Sequence, residues 1–326
     1  MNTGFSFDRA LTYPFKAPHF KSFPWLFALA YAAIYVALFL VIGLLGWQAL
    51  AEWVLALQQL ENDPDPMPAD VFGLLFGGFG KLLPLILIGS VAGWVVWAMF
   101  ETASQRRYIF GAKFSLGFGG DEVRMMIVGL LWALMSLVIF AIPGVLMFGA
   151  FGALLQMDFS GPMDDQAAAR FMGTFFAGFG LMFLFSLLYI FIATRLAPCF
   201  GLTVKEKEIR FFDAWRVSRG RFWPILGAYV IIVVVVSVLS QIISAIAQML
   251  MMPFLMNLPV NGDASAEEMA AIFLSPLFIA PMAIIYFALL FVQGLTQHFV
   301  GAPAALAARH DPRNDLGDAE RVDIFN

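Results

Sequence analysis

Between Arg195 and Trp223 the chain reads RLAPCFGLTVKEKEIRFFDAWRVSRGRFW and collects 7 of its 19 Lys and Arg residues. Arg195, Lys205, Arg216, Arg219 and Arg221, interleaved with Trp215 and several Phe residues, suit an interfacial segment that holds anionic lipid head groups or a phosphate-bearing ligand. A membrane-protein partner could use the same groups, and so could the membrane itself, since basic loops also act as topology determinants. A second pattern is the stripe Ser237, Ser240, Gln241, Ser244 and Gln248. At helical spacing these five residues fall within an arc of about 100°, where they either line a water-filled path for a polar substrate or form hydrogen-bonded helix contacts. Gln293, Thr296 and Gln297 make a shorter stripe of the same kind. A third set, Glu101, Arg106, Arg107, Asp121, Glu122 and Arg124, places opposite charges at the ends of two neighbouring helices. Such residues lock hairpins together, each exposed pair contributing about 0–1 kcal/mol.

Enzyme chemistry finds little support. The chain has no GxSxG, HExxH, Walker A or dinucleotide-binding pattern. His19, His298 and His310 lack metal-ligand spacing, and the single Cys199 provides neither a disulfide nor a zinc site. His298, beside Gln297, reads as an interfacial polar residue. Carboxylates deep inside a span, the usual mark of proton coupling, are not expected. No cofactor is implied, and one short basic loop in a chain of net charge −4 argues against nucleic acid.

The elements that must carry these residues are apolar. The composition is 61% apolar and 13% charged, with a mean hydropathy of +0.83, far from that of soluble domains. Six runs are long enough to cross a bilayer, predicted at about 24–50, 71–103, 125–155, 171–197, 224–251 and 271–299. The first outlasts a signal-peptide core and is read as a retained helix. The expected fold is therefore all-α, a polytopic membrane protein of six helices in three hairpins. Residues 1–23 form a Phe-rich interfacial segment, 24–308 the membrane domain and 309–326 a mobile polar tail. Lys81 is expected at an interface, with residues 71–81 lying along the surface or re-entering, and Pro143-Gly144 at a kink. Gly89 and Gly93 form a GxxxG pair that permits, without requiring, homo-oligomers.

Charge sorts cleanly between the loops. Segments 1–23, 101–124, 195–221 and 309–326 hold 17 Lys and Arg residues, and segments 51–70, 156–170 and 253–270 hold 1. The positive-inside rule then places both termini in the cytoplasm. The hairpins also resemble one another at a spacing near 100 residues, through Phe23-Pro24-Trp25, Phe222-Trp223-Pro224 and the aromatic-glycine exits at Phe110-Gly111 and Phe200-Gly201.

ATRLAP (193–198) followed by FFDAWRVSRGRFWPILG (211–227) resembles a signature of bacterial multi-spanning inner-membrane proteins. These are the YciC-like family and the membrane domain attached to some glycerophosphodiester phosphodiesterases. The matching elements are Arg195, Pro198, Ala214-Trp215, Ser218, Arg219-Gly220 and Phe222-Trp223, and RRYIFGAKFSLGFGGDEVRM (106–125) looks like the corresponding inner loop of alphaproteobacterial proteins. The resemblance implies a six-helix protein of the bacterial inner membrane. The phosphodiesterase domain has no counterpart here, so it implies no enzyme activity. Two functions are expected from these observations. One is a non-enzymatic accessory or scaffold that contacts lipid or a partner through its basic-aromatic loops, and the other is a small transporter or lipid translocase using the polar stripe.

Overall fold

The computed structural model describes residues 5–61, 68–155, 165–256 and 275–317. The regular structure among them is helical: α1 Phe7–Lys16, α2 Phe23–Glu61, α3 Pro68–Phe110, α4 Gly120–Leu155, α5 Asp165–Leu196, α6 Cys199–Glu206, α7 Ala214–Val217, α8 Phe222–Met256 and α9 Pro276–Arg309. Six of these are long and apolar enough to cross a membrane, namely α2, α3, α4, α5, α8 and α9. Their outer surfaces confirm the solvent: Leu44, Val138, Phe148 and Ile284 stand exposed in mid-helix, where lipid stabilises what water would not. The chain is a multi-pass integral membrane protein.

Each odd span packs against its successor, giving the hairpins α2–α3, α4–α5 and α8–α9. The first and third hairpins join through α2–α9 and α3–α9 packing, helped by Gly294, whose missing Cβ would sit 2.9 Å from Tyr31 and 3.0 Å from the backbone of Ala28. The second hairpin attaches through α3 and α4. On its far side, α5 touches α8 only sparsely, with Phe191 meeting Phe222 at 5.3 Å between ring centroids. The bundle is therefore incompletely closed, and a cleft is left between α5 and α8.

Several local expectations change. Residues 71–81 neither lie flat nor re-enter, because α3 runs unbroken from Pro68 through Pro84. Pro143-Gly144 lies inside α4, which continues past it, as a helix bent at a proline can. The sixth span extends ten residues beyond the expected Phe299, to Arg309, because GAPAALAAR is rich in the best helix former and its last turns are buried. Residues 310–317 pack back on the bundle rather than hanging free, while 318–326 lie outside the described residues, as do 257–274, where the sixth span was expected to begin. The Phe-rich start contains α1, capped by Ser6 and packed against α8 and α9 with Ala10, Tyr13 and Pro14 buried. Phe7 and Phe15 remain exposed, so α1 is both an interfacial helix and a wedge.

Arg107 fixes that wedge. Its side chain is 0% exposed, and its guanidinium donates to the carbonyls of Pro18 at 2.8 Å, Pro14 at 3.0 Å and Ala17 at 3.1 Å, where α1 ends. It also bonds His298 Nε2 on α9. Arginine only donates, so Nε2 accepts and the imidazole is the neutral tautomer with its proton on Nδ1, 2.7 Å from Ser104 Oγ. The Tyr108 hydroxyl donates to the carbonyl of His298 at 3.0 Å. His298 is thus a buried keystone between α3 and α9, not an interfacial residue. Leaving these buried acceptors unsatisfied should cost about 1–3 kcal/mol each. Arg107→Leu is expected to lower the thermal midpoint in detergent and expose Lys16 and Lys21 to trypsin; unchanged cleavage and melting would show that α1 docks without it.

Candidate functional site

The cleft leads into a cavity of about 990 Å³ enclosed by α2, α3, α4, α5, α6, α8 and α9. Its α3 wall is made by Trp94, Trp97, Glu101 and Gln105. Their spacing of three and four residues puts all four on one helical face. Trp132 and Tyr189 face them from the second hairpin and hold each other by an indole-to-hydroxyl hydrogen bond of 3.0 Å. Gly129 allows this wall to close, since a Cβ there would lie 2.6 Å from Trp97. Tyr229 and Val233 on α8 and Gln297 and Gly301 on α9 complete the chamber, and α6 floors it with Phe200. The walls are mostly apolar and aromatic, and the polar groups gather at one end.

Glu101 is the group that burial makes costly. It is 6% exposed and lies nine residues before the end of α3, about 14 Å along the helix. Its Oε1 accepts from Gln105 at 2.8 Å and its Oε2 from Gln297 at 3.2 Å. These amides supply hydrogen bonds but no opposite charge, and Glu101 forms no ion pair among the described residues. The expected charge lattice therefore divides. Arg106 pairs with Asp121 at 2.9 Å and Glu122 at 2.8 Å, and Arg124 pairs with Asp121 at 2.6 Å, while Arg107 turns to α1 and Glu101 turns to the cavity. A carboxylate inside a span, which the sequence did not lead one to expect, is present after all.

The polar stripe falls in a telling place. Leu226, Tyr229, Val230, Val233 and Val234 of α8 line the cavity, and Ser237, Ser240, Gln241, Ser244 and Gln248 continue the same helical face away from it. Ser240 and Ser244 are half-buried, and Ser237, Gln241 and Gln248 are exposed. The stripe does not line the chamber itself; it extends its α8 wall along the cleft towards the acidic end of the bundle.

The basic segment separates into structural and open parts. Lys205 donates to the carbonyls of Ala308 at 3.0 Å, Arg309 at 3.3 Å and Asn314, and Arg221 to those of Ala307 and His310, each at 2.9 Å. Both are spent on the orphan carbonyls at the end of α9. Nearby, burial would raise the Asp311 carboxyl, but hydrogen bonds from Arg313 hold it below the ordinary carboxylate range. Arg195, Trp215, Arg216 and Arg219 remain together around a surface pocket of about 370 Å³ with Phe212 and Asp213. Arg216 bonds Asp213 at 3.2 Å. Arg195 stands over the rings of Phe191, Trp215 and Phe222 at 5.4–5.7 Å and donates to the Ser218 carbonyl, and its buried Nε has no partner. The segment is not one interfacial helix: α6 is buried, α7 is a single turn, and Gly220 at φ +77 turns the chain into α8.

Arg195 also lines a second pocket of about 590 Å³, with Phe222 and Trp223, that shares Ile190 and Leu226 with the cavity. Basic patch, mouth and chamber are contiguous. Sequence reasoning missed Glu101 because its neighbours Arg106 and Arg107 offered a simpler partner. The signal that could have found it is the run Trp94, Trp97, Glu101, Gln105, which mixes rings, a carboxylate and an amide on one face.

Comparison of the chain with protein-family models, with curated proteins and with solved structures returns no match. The site's own chemistry carries the argument. Burying a charge without a partner is costly, and glutamine keeps the shape of Glu101 without its charge. Glu101→Gln is expected to keep or raise the thermal midpoint measured by intrinsic fluorescence in detergent. A clear drop would mean that the carboxylate is there for the fold.

Proposed function

We propose that this protein is an intramembrane carrier for an amphiphile, a small transporter or lipid translocase whose ligand enters sideways between α5 and α8. The observation that carries this reading is the 990 Å³ cavity, apolar along its walls and polar at Glu101, Gln105 and Gln297. Its size falls in the range of small-molecule sites, and its polarity divides as an amphiphile's does. Arg195, Arg216 and Arg219 at the mouth would draw the phosphate of a zwitterionic head group from the adjacent leaflet, which the positive-inside rule would make the cytoplasmic one. The stripe from Ser237 to Gln248 would give a head group polar partners along the rest of α8.

A second reading is a non-enzymatic accessory protein that contacts lipid or a partner at the basic pocket alone. It is favoured by Arg219, which forms no ion pair among the described residues, and by Phe212 and Trp223, 77% and 76% exposed beside it. Native mass spectrometry of protein extracted gently from its own membrane separates the two. The carrier reading expects a retained amphiphile whose occupancy falls at least about fivefold in Val233→Trp, which fills the chamber. It also expects the adduct to survive charge reversal at Arg216 and Arg219. Adducts lost on charge reversal and untouched by Val233→Trp would transfer the function to the basic pocket.

A further inference from the structure

The carrier reading leaves open what sits against Glu101. The chamber offers no metal chemistry, since no group of three or more His, Cys, Asp or Glu side chains converges among the described residues. It offers one buried carboxylate, whose hydrogen-bond partners among the described residues are two amides. Trp94, Trp97, Trp132, Tyr189 and Tyr229 line the same chamber as that carboxylate. A carboxylate inside a span is expensive unless an opposite charge joins it. Aromatic faces attract cations, most strongly when both partners are desolvated, and indole is the strongest of the rings. A compact, strongly hydrated ion would lose too much water on entering such a place. A cation whose charge is shielded by carbon loses little.

We propose, resting on the carrier reading, that the cavity is a site for a hydrophobic organic monocation, an alkylammonium or its phosphonium equivalent. Glu101 is the counter-charge, and the Trp and Tyr rings are the cage. Gln105 and Gln297 hold the carboxyl group in position, and an arriving cation favours its ionised form. The apolar wall of α8 from Leu226 to Val234 takes the ligand's hydrocarbon part. Two sources supply this chemistry, the quaternary ammonium of a zwitterionic lipid head group and a free amphiphilic cation.

The test uses the full chain in phosphatidylglycerol nanodiscs, with tetraphenylphosphonium as the probe and tetraphenylborate as its near-isosteric anion. Saturable binding of the phosphonium is expected, with none of the borate. Glu101→Gln should weaken binding at least about tenfold, Glu101→Asp should recover part of the loss, and Trp97→Leu should weaken it by a similar factor. Phosphatidylcholine added to the nanodiscs competes if a lipid ammonium is the natural occupant and does not compete if the occupant is a free cation. Equal binding of both ions, or Glu101→Gln binding the phosphonium as well as the parent chain in protein of unchanged melting, overturns the proposal. Absence of phosphonium binding while Val233→Trp still sheds a retained amphiphile would sink the cation and leave the carrier. Absence of both would sink the carrier first.

Discussion

Arg107 is a fully buried guanidinium with no carboxylate beside it among the described residues, and much of the architecture is arranged around its satisfaction. An isolated buried guanidinium would be prohibitive, so it is surrounded by acceptors from three elements: the carbonyls closing α1, the imidazole of His298 on α9, and, through that ring, Ser104 and Tyr108 on α3. This ties the amphipathic α1 beneath the first and third hairpins and closes one end of the bundle. Arg309 continues the closure by donating to the carbonyls of Ile109 and Gly317.

That closure sets the position of Glu101. With Arg107 committed to α1, Arg106 to Asp121 and Glu122, and Lys81 to Glu52, no cation on α3 remains among the described residues for a carboxylate facing the opposite way. Glu101 is left at the end of a chamber floored by α6. Most buried ionisable groups are paired. One that is provided with hydrogen bonds and denied a counter-ion inside a cavity is the arrangement of a site prepared for a charged ligand. The sparse contact between α5 and α8 gives that ligand a way in, and Arg195 in its triangle of aromatic rings marks the edge of the entrance.

Much of this was legible in the sequence, for physical reasons that also define what was not. Spans are written in composition, because a bilayer demands about 20 apolar residues whatever the fold, and all six were found. Glycine-rich VFGLLFGGFG and Pro143-Gly144 looked like breaks, yet in lipid the helix is the state that satisfies the backbone, and both remained helical. The basic residues from Arg195 to Arg221 were legible as a group, but their division was not. Whether Lys205 meets a phosphate or the carbonyls of Ala308 and Arg309 depends on α9 extending past Phe299. Glu101 was hidden for a related reason: sequence distance makes Arg106 and Arg107 its neighbours, whereas the helical angle carries them to other faces.

The central claim is that the chamber between α5 and α8 holds an amphiphile against Glu101. Its most direct test is a cryo-electron microscopy map of the protein in nanodiscs of its native lipids. The expected map has α5 and α8 apart along the stripe from Ser237 to Gln248, with an elongated non-protein density entering between them and ending within about 4 Å of the Glu101 carboxylate. A map in which α5 packs on α8 along its length, or in which side chains fill the chamber around Trp97 and Trp132, would contradict it.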